Sequence, residues 1–585
     1  MKSVATAALL ASLIVTPPSS PPALHSCAAA TQKCEGTISV PLDWSDPDSE
    51  KITVAFAWLP AKGATGTILA DPGGPAAALP ALPIIVESLG PVLDRQNLLV
   101  VEPRGQGKSS PLLCPDIDLN VQSTIAACAT LLGPRTQFFT TDQTVADLDA
   151  VRQALGVPRV SFYGNSYGTV FAQAYATRFP ASTAAVFLDS VVLTTRAGYT
   201  DWGMRMRLSN LDLVCDASVA CRRLPGTPSG IFTRLVKTLR AHPDPEAPIA
   251  TLAALGQYAS QPVIGREIVA AAAAYLGGDP LPLRRLATEA GSAPYPPLKG
   301  AHWAGYLAYV CGDGAFPFDK AASPAERDRQ LRAFYAKERP AWPFTLAELG
   351  GSTLYDFCVN WPTPRQSPPV RPGSTYPAVP ALTVAGDFDT HTPAEVAALT
   401  SRFPKSTFSQ VRYGVHSMAW SEGCVREGMR AFLAAPAHPA TDPRCDLENY
   451  KAVGSFPVSA KDVAPVRSAA LSRAERTLVA GLYATADDAL ARRNPLASLH
   501  ARMTTEAGLR GGRVDFDDNN NVIRLHAAKL AGDLPVTGTI TLGAKVSAEL
   551  VTGGRTVKLS WTPFLAKDRI TLSGSLNGRA FTAVT

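Results

Sequence analysis

One stretch of this chain limits its fold more than any other: RVSFYGNSYGTVFAQAYATRFP, residues 159–180. An apolar, strand-like run leads into Gly164-Asn165-Ser166-Tyr167-Gly168, and an alanine-containing run suited to a helix follows. A serine at the apex of such a strand-turn-helix is held in a strained backbone conformation with its Oγ exposed. Glycines two positions to either side let strand and helix pass closely. The pentapeptide G-x-S-x-G alone also fits an ordinary turn serine, and it is the strand-turn-helix setting that makes Ser166 a candidate nucleophile.

Similar short apolar runs recur as GTILA before Asp71, NLLVV before Glu102, AAVFL before Asp189 and PALTVA before Gly386. With helical stretches between several of them, they predict a parallel sheet whose functional groups gather beyond the carboxyl ends of the strands. Ahead of them, ISVPLDW and KITVAFAW predict an antiparallel hairpin in which Ile52, Val54, Phe56 and Trp58 alternate with smaller residues. Between roughly 195 and 375 the rhythm gives way to helical segments such as IGREIVAAAAAYL and AERDRQLRAFYAKE, then resumes at Tyr376. That is the pattern of a helical cap inserted into one domain. From about 447 the composition changes again. A helix is expected from Leu471 to Arg493, then strands at VTGTITL, KVSAELV, TVKLSW, RITLSG and RAFTAV. The resulting division is a signal peptide at 1–23, core at 24–194, cap at 195–375, core again at 376–446, and a C-terminal helix plus β-rich domain at 447–585.

A serine nucleophile needs a base, and the base needs a carboxylate that fixes its tautomer and stabilises the imidazolium. His416, in YGVHS after the alternating run TFSQVRY, is the candidate base. Asp387 and Asp389 both follow the PALTVA strand, in GDFDTHTP, and compete as the acid. His391 shares that loop and is too near Asp389 in sequence to face it across a site. A tetrahedral intermediate also needs two N–H donors. Tyr167, directly after Ser166, is one candidate; the other lies in ILADPGGPAAA, where Gly73 and Gly74 let the backbone come close. Glu102 and Arg104 read as structural parts of their turn.

Lys2, an apolar run from Ala5 to Val15 and then TPPSSPPA have the layout of a secretory signal peptide. The run is about half of the ~20 residues a membrane-spanning helix needs, so no transmembrane anchor is expected in the mature chain. A lipoprotein reading of LHSC at Cys27 fits less well, because His25 is polar and the apolar run lies upstream. Ten cysteines suit an exported chain. Paired in order, Cys27/Cys34, Cys114/Cys128, Cys215/Cys221, Cys311/Cys358 and Cys424/Cys445 would clip five loops without crossing, one connectivity among many. No C-x-x-C pair or His/Cys cluster suggests zinc, and no cofactor is expected. A net charge of +6 over 585 residues, with no long basic run, argues against nucleic acid as a partner.

VPLDW, the GGP loop, PRGQGKSSPLLC, GNSYGTVFAQAYATRFP, a cap and GDFDTHTP occur in an order that resembles one family, the exported tripeptidyl and prolyl aminopeptidases of the α/β-hydrolase superfamily. The resemblance covers roughly residues 24–446. It implies an α/β-hydrolase fold with an inserted helical cap, and leaves the additional C-terminal β-rich domain outside. The chain order Ser, Asp, His agrees with such enzymes. The family's G-x-x-D-x-x-T-P pattern makes Asp389 the acid, and the second glycine of its GGP loop, here Gly74, the second oxyanion donor. Cys424 and Cys445 look like the family's late pair. Ala76 departs from it, since a further glycine usually follows the GGP proline, and Glu102 stands where Asp is common.

The implied activity is an exopeptidase that releases short N-terminal peptides or residues through an acyl-enzyme. A carboxylesterase or lipase-type acyl hydrolase would use the same three residues, and a non-catalytic exported binding protein would need none of them. Recognition of a free N-terminus would call on cap carboxylates, with Glu267, Asp313 and Asp356 as unranked candidates. The expected partner is a peptide or small acyl substrate, the expected location secreted or at the cell envelope. The C-terminal domain is a candidate for contact with a surface polymer.

Overall fold

The structure, a computed structural model, describes residues 32–192, 199–257, 261–291, 298–349, 353–362, 367–389, 402–437, 439–445, 447, 450–493, 504–563 and 569–585. The signal-peptide segment, the Cys27/Cys34 pairing and His391 fall outside the described residues. The chain divides into two compact units, one from Met1–Met206 with Tyr295–Leu447 and one from Arg207–Pro294 with Glu448–Thr585.

The first unit is built on an eight-stranded sheet ordered β1-β2-β4-β3-β5-β6-β7-β8. β1 (Cys34–Pro41) and β2 (Lys51–Leu59) form the expected antiparallel hairpin. The strands β3 (Gly66–Asp71), β4 (Gln96–Val101), β5 (Val160–Asn165), β6 (Thr183–Asp189), β7 (Pro380–Gly386) and β8 (Lys405–Val411) are mutually parallel. The central strands carry continuous apolar runs because both of their faces are covered. Leu69, Leu99, Phe162 and Leu188 pack into a core with residues of the helices Thr141–Ala154, Gly168–Arg178, Trp303–Asp313 and Leu354–Val359. Their neighbours Ile68, Leu98, Tyr163 and Phe187 point the other way, into a core with the helices Leu82–Leu89 and Gly423–Ala434.

Disulfides Cys114–Cys128, Cys311–Cys358 and Cys424–Cys445 clip this unit, and Cys215–Cys221 clips the second. Cys311–Cys358 joins the helices Trp303–Asp313 and Leu354–Val359.

The second unit contains a purely antiparallel eight-stranded sheet, β9 (Thr505–Ala507), β10 (Arg513–Asp517), β11 (Val522–Ala528), β12 (Val536–Thr541), β13 (Val546–Thr552), β14 (Arg555–Trp561), β15 (Thr571–Leu576) and β16 (Arg579–Val584), paired in chain order. The alternation of buried and exposed residues, unbroken in β13, marks a sheet with one covered face. The helix Arg473–Arg492 covers that face through Val479, Leu482, Ala486 and Ala489, and a Ser472/Glu475 capping box starts it. The helices Pro262–Leu276 and Leu281–Gly291 join the same unit through charge. Arg285 bonds Glu267 and Asp488 at 3.0 and 2.8 Å, and Arg492 bonds Glu289 at 2.9 Å and Glu506 at 2.7 Å. The helical stretch that the sequence presents as one cap is thus shared between the two units. Among the described residues no helix is long and apolar enough to cross a membrane.

Candidate active site

Adjacent strands β3, β5, β6 and β7 end at Asp71, Asn165, Asp189 and Gly386, and the site gathers at these carboxyl ends. Ser166 follows β5 with φ of 53°, a left-handed conformation uncommon outside glycine. The strain is held by its flanks: its N–H donates to the Asp189 carbonyl at 2.9 Å, and its own carbonyl accepts from Thr169 N at 2.9 Å. The two glycines of the pentapeptide are sterically required. A Cβ on Gly164 would lie 2.5 Å from the Gly168 carbonyl oxygen, and one on Gly168 would lie 2.5 Å from that of Asp71.

The loop after β3 is pressed against this elbow. A Cβ on Gly73, whose φ is +89°, would meet the Asn165 carbonyl oxygen at 2.4 Å and Tyr167 N at 2.9 Å. Gly73 N donates to Asp71 Oδ1 at 2.8 Å. Asn165 Nδ2 bonds both the Pro72 carbonyl and Ser417 Oγ at 3.1 Å, tying the loop and the elbow to the histidine segment. Burial pushes the Asp71 carboxyl up to about 7.

Asp389, buried beyond β7, places its oxygens 2.9 and 3.1 Å from His416 Nδ1. Asp387 turns elsewhere and accepts from Gln410 Nε2 at 2.6 Å. The two segments approach closely because Gly386 has no side chain: a Cβ there would stand 2.2 Å from the Gly414 carbonyl oxygen, which also accepts from Phe388 N at 2.9 Å. Burial disfavours the charged imidazole of His416. The charge of Asp389, its hydrogen bond and the charge of Asp189 outweigh that, so the histidine titrates above its ordinary value.

Asp189 is a site residue that the sequence reading left as a strand end. Its carboxylate accepts from Ala419 N at 2.8 Å, Met418 N at 3.3 Å and Ser190 Oγ at 3.2 Å. Ser190 Oγ accepts in turn from Ser417 N at 2.9 Å. Burial raises the carboxyl to about 6 against the pull of Ala419 N and His416. The only sequence signal was a carboxylate ending the AAVFL run; its partners Met418 and Ala419 lie some 230 residues downstream.

Tyr167 is buried and donates its phenolic OH to Asp313 Oδ2 at 2.6 Å. The other two candidate recognition carboxylates serve locally. Glu267 pairs with Arg285 inside the second unit. Asp356 closes a capping box with Thr353 and accepts from Tyr335 OH at 2.9 Å and from Arg332. Glu102 accepts from Leu79 N and Lys108 N at 2.9 and 2.6 Å, and Arg104 forms a buried bidentate pair with Asp147 at 2.7 and 2.6 Å.

Residues 72–236 match a family model described as alpha/beta hydrolase fold, and residues 347–445 match one described as TAP-like protein. The chain has the α/β-hydrolase fold, and its segment 347–445 is similar to TAP-like proteins. A tripeptidyl aminopeptidase of Streptomyces coelicolor is 28% identical over 191 residues, 28% of this chain and 35% of that protein. Serine protease Hip1 of Mycobacterium tuberculosis (strain ATCC 25618 / H37Rv) is 28% identical over 222 residues, 33% of this chain and 42% of that protein. The chain thus spans well under half the length of these curated relatives. Among solved structures, an esterase from Thermogutta terrifontis is 14% identical with a TM-score of 0.31, covering 68% of this chain and 97% of its own.

Proposed function

We propose that this chain is an exported serine peptidase that releases residues or short peptides from free N-termini through an acyl-enzyme. The hydrolytic part of the reading is carried by the Asp389–His416 contact beyond β7, at the same edge of the sheet where Ser166 stands in its strained turn beyond β5. Ser166 Oγ attacks the scissile carbonyl carbon while its proton passes to His416 Nε2. Nδ1–H is held by Asp389, which fixes the tautomer and stabilises the imidazolium. The oxyanion is received by the main-chain N–H groups of Tyr167 and Gly74. Commitment of the Gly73 N–H to Asp71 favours Gly74 over Gly73 in that role. Collapse of the tetrahedral adduct transfers the proton to the leaving amine, and water then repeats the sequence on the acyl-enzyme.

The peptide part of the reading is supported by the relatives named tripeptidyl aminopeptidase and serine protease. The described disulfides suit an oxidising compartment and support export. Nothing in the C-terminal sheet favours contact with a surface polymer, and none is proposed. The test is a turnover panel of peptide amides with free N-termini, the same peptides N-blocked, and short acyl esters. Faster turnover of the free-amine peptides is expected. Preference for blocked peptides or for esters would overturn the aminopeptidase assignment and leave the acyl-transfer chemistry standing.

A further inference from the structure

An oxyanion donor acts only where its N–H is fixed before the charge develops. The Tyr167 amide follows a residue with φ of 53°, in a turn tied by the Ser166 N–H to the Asp189 carbonyl and by Val170 N to the Tyr167 carbonyl, each at 2.9 Å. Part of the hold is the Gly73 backbone packed against Tyr167 N. A further hold, on the side chain, comes from the helix Trp303–Asp313. Tyr309 meets the Tyr167 ring edge-on at 6.4 Å, and Asp313, one turn later, accepts the Tyr167 hydroxyl at 2.6 Å.

Asp313 is itself anchored from several directions. Thr141, at the start of the helix Thr141–Ala154, gives it a backbone N–H at 3.0 Å and a hydroxyl at 2.6 Å, and the helix's positive end favours its charge. The ammonium of Lys320 lies near enough to act on it and is steadied by the Gly312 and Gly314 carbonyls at 2.8 and 3.2 Å. Tyr309 OH bonds the Arg104 carbonyl at 2.8 Å and Thr144 Oγ1 at 2.6 Å, fixing the helix to the rest of the unit. Cys311–Cys358 clips it two residues before Asp313.

We propose that Asp313 is a positioning residue for the oxyanion site, holding through the Tyr167 hydroxyl the main-chain N–H that receives the developing charge. The inference rests on Ser166 being the nucleophile. It gives the helical segment a share in turnover separate from any contact with substrate, and it assigns a use to the tyrosine after the nucleophile, since the backbone donor alone would be served by any residue.

The experiment measures kcat and KM for the full-length protein, for Asp313→Asn, Tyr167→Phe and the double variant, and for Ser166→Ala as control. Each single variant is expected to lower kcat about tenfold, short of the ~10²–10³-fold loss when an oxyanion donor is removed outright, with KM changed less than about twofold. The double variant is expected to be no slower than the slower single, because Asp313 is proposed to act through the Tyr167 hydroxyl, which Tyr167→Phe already removes. Wild-type kcat in Tyr167→Phe, or losses that multiply in the double variant, would overturn the inference. If Asp313→Asn fails to fold, Tyr167→Phe decides alone, because it leaves both Thr141 bonds to Asp313 in place. Activity surviving in Ser166→Ala would instead sink the nucleophile assignment underneath.

Discussion

Close approach without side chains is what assembles the site, and Gly386 shows it most sharply. An alanine there would put its Cβ 2.2 Å from the Gly414 carbonyl oxygen, forcing the Asp389 and His416 segments apart. Gly386→Ala should therefore lower kcat and cost about 1–3 kcal/mol of stability, as overpacking does, readable from thermal unfolding beside turnover. The electrostatics predict a pH profile. As the proposed base, His416 would have to be neutral to accept the serine proton, and its neighbours hold its pKa above the ordinary 6.5, so the acid limb of kcat/KM should have its midpoint above that value. Asp189 contributes negative charge to this shift, so Asp189→Asn should move the limb to lower pH. An unmoved limb would show that Asp189 serves the fold alone. At this scale the candidates Ser166 and His416 are marked by local patterns in the sequence. The proposed acid Asp389 is separated from Asp387 there only by the family's spacing. Asp189 and the tie between Tyr167 and Asp313 were not legible, since both depend on segments far apart in the chain.

Buried parallel strands leave a strong trace in sequence, which is why β3 to β7 could be placed from their apolar runs. β9, β10 and β11 were missed. β9 has only three residues and β10 only five; the alternation of Arg513, Asp515 and Asp517 with Val514 and Phe516, and of Arg524 and His526 with Ile523 and Leu525, is a short period-2 signal that went unread. The disulfide pairing in chain order holds for the four pairs among the described residues. Cys311–Cys358 closes a separation of 47 residues between two helices, and by loop-closure entropy its replacement with serines should cost about 2–5 kcal/mol. A lowered Tm in the double serine variant, with a larger fall in kcat than in KM, is the expected outcome.

For the whole molecule, the division of the helical segment was hidden from the sequence, because helices of either unit look alike in composition. The partition rests on contacts such as Arg285 with Asp488 and Arg492 with Glu289, which bind residues of 262–291 to the helix Arg473–Arg492. Removal of 448–585 would strip these buried charges of their partners, a change that costs about 3–5 kcal/mol for a single broken pair. The truncated chain should lose hydrogen-exchange protection over 262–291. Protection retained there would mean that these helices fold without the C-terminal sheet.

The central claim is that Ser166 is an activated nucleophile. Its most direct measurement is the labelling of the native full-length protein with a fluorophosphonate, followed by mass-spectrometric location of the adduct. One adduct is expected, on Ser166, absent in Ser166→Ala and formed far more slowly in His416→Ala. An adduct on another serine, or labelling of the native protein no faster than that of Ser166→Ala, would contradict it.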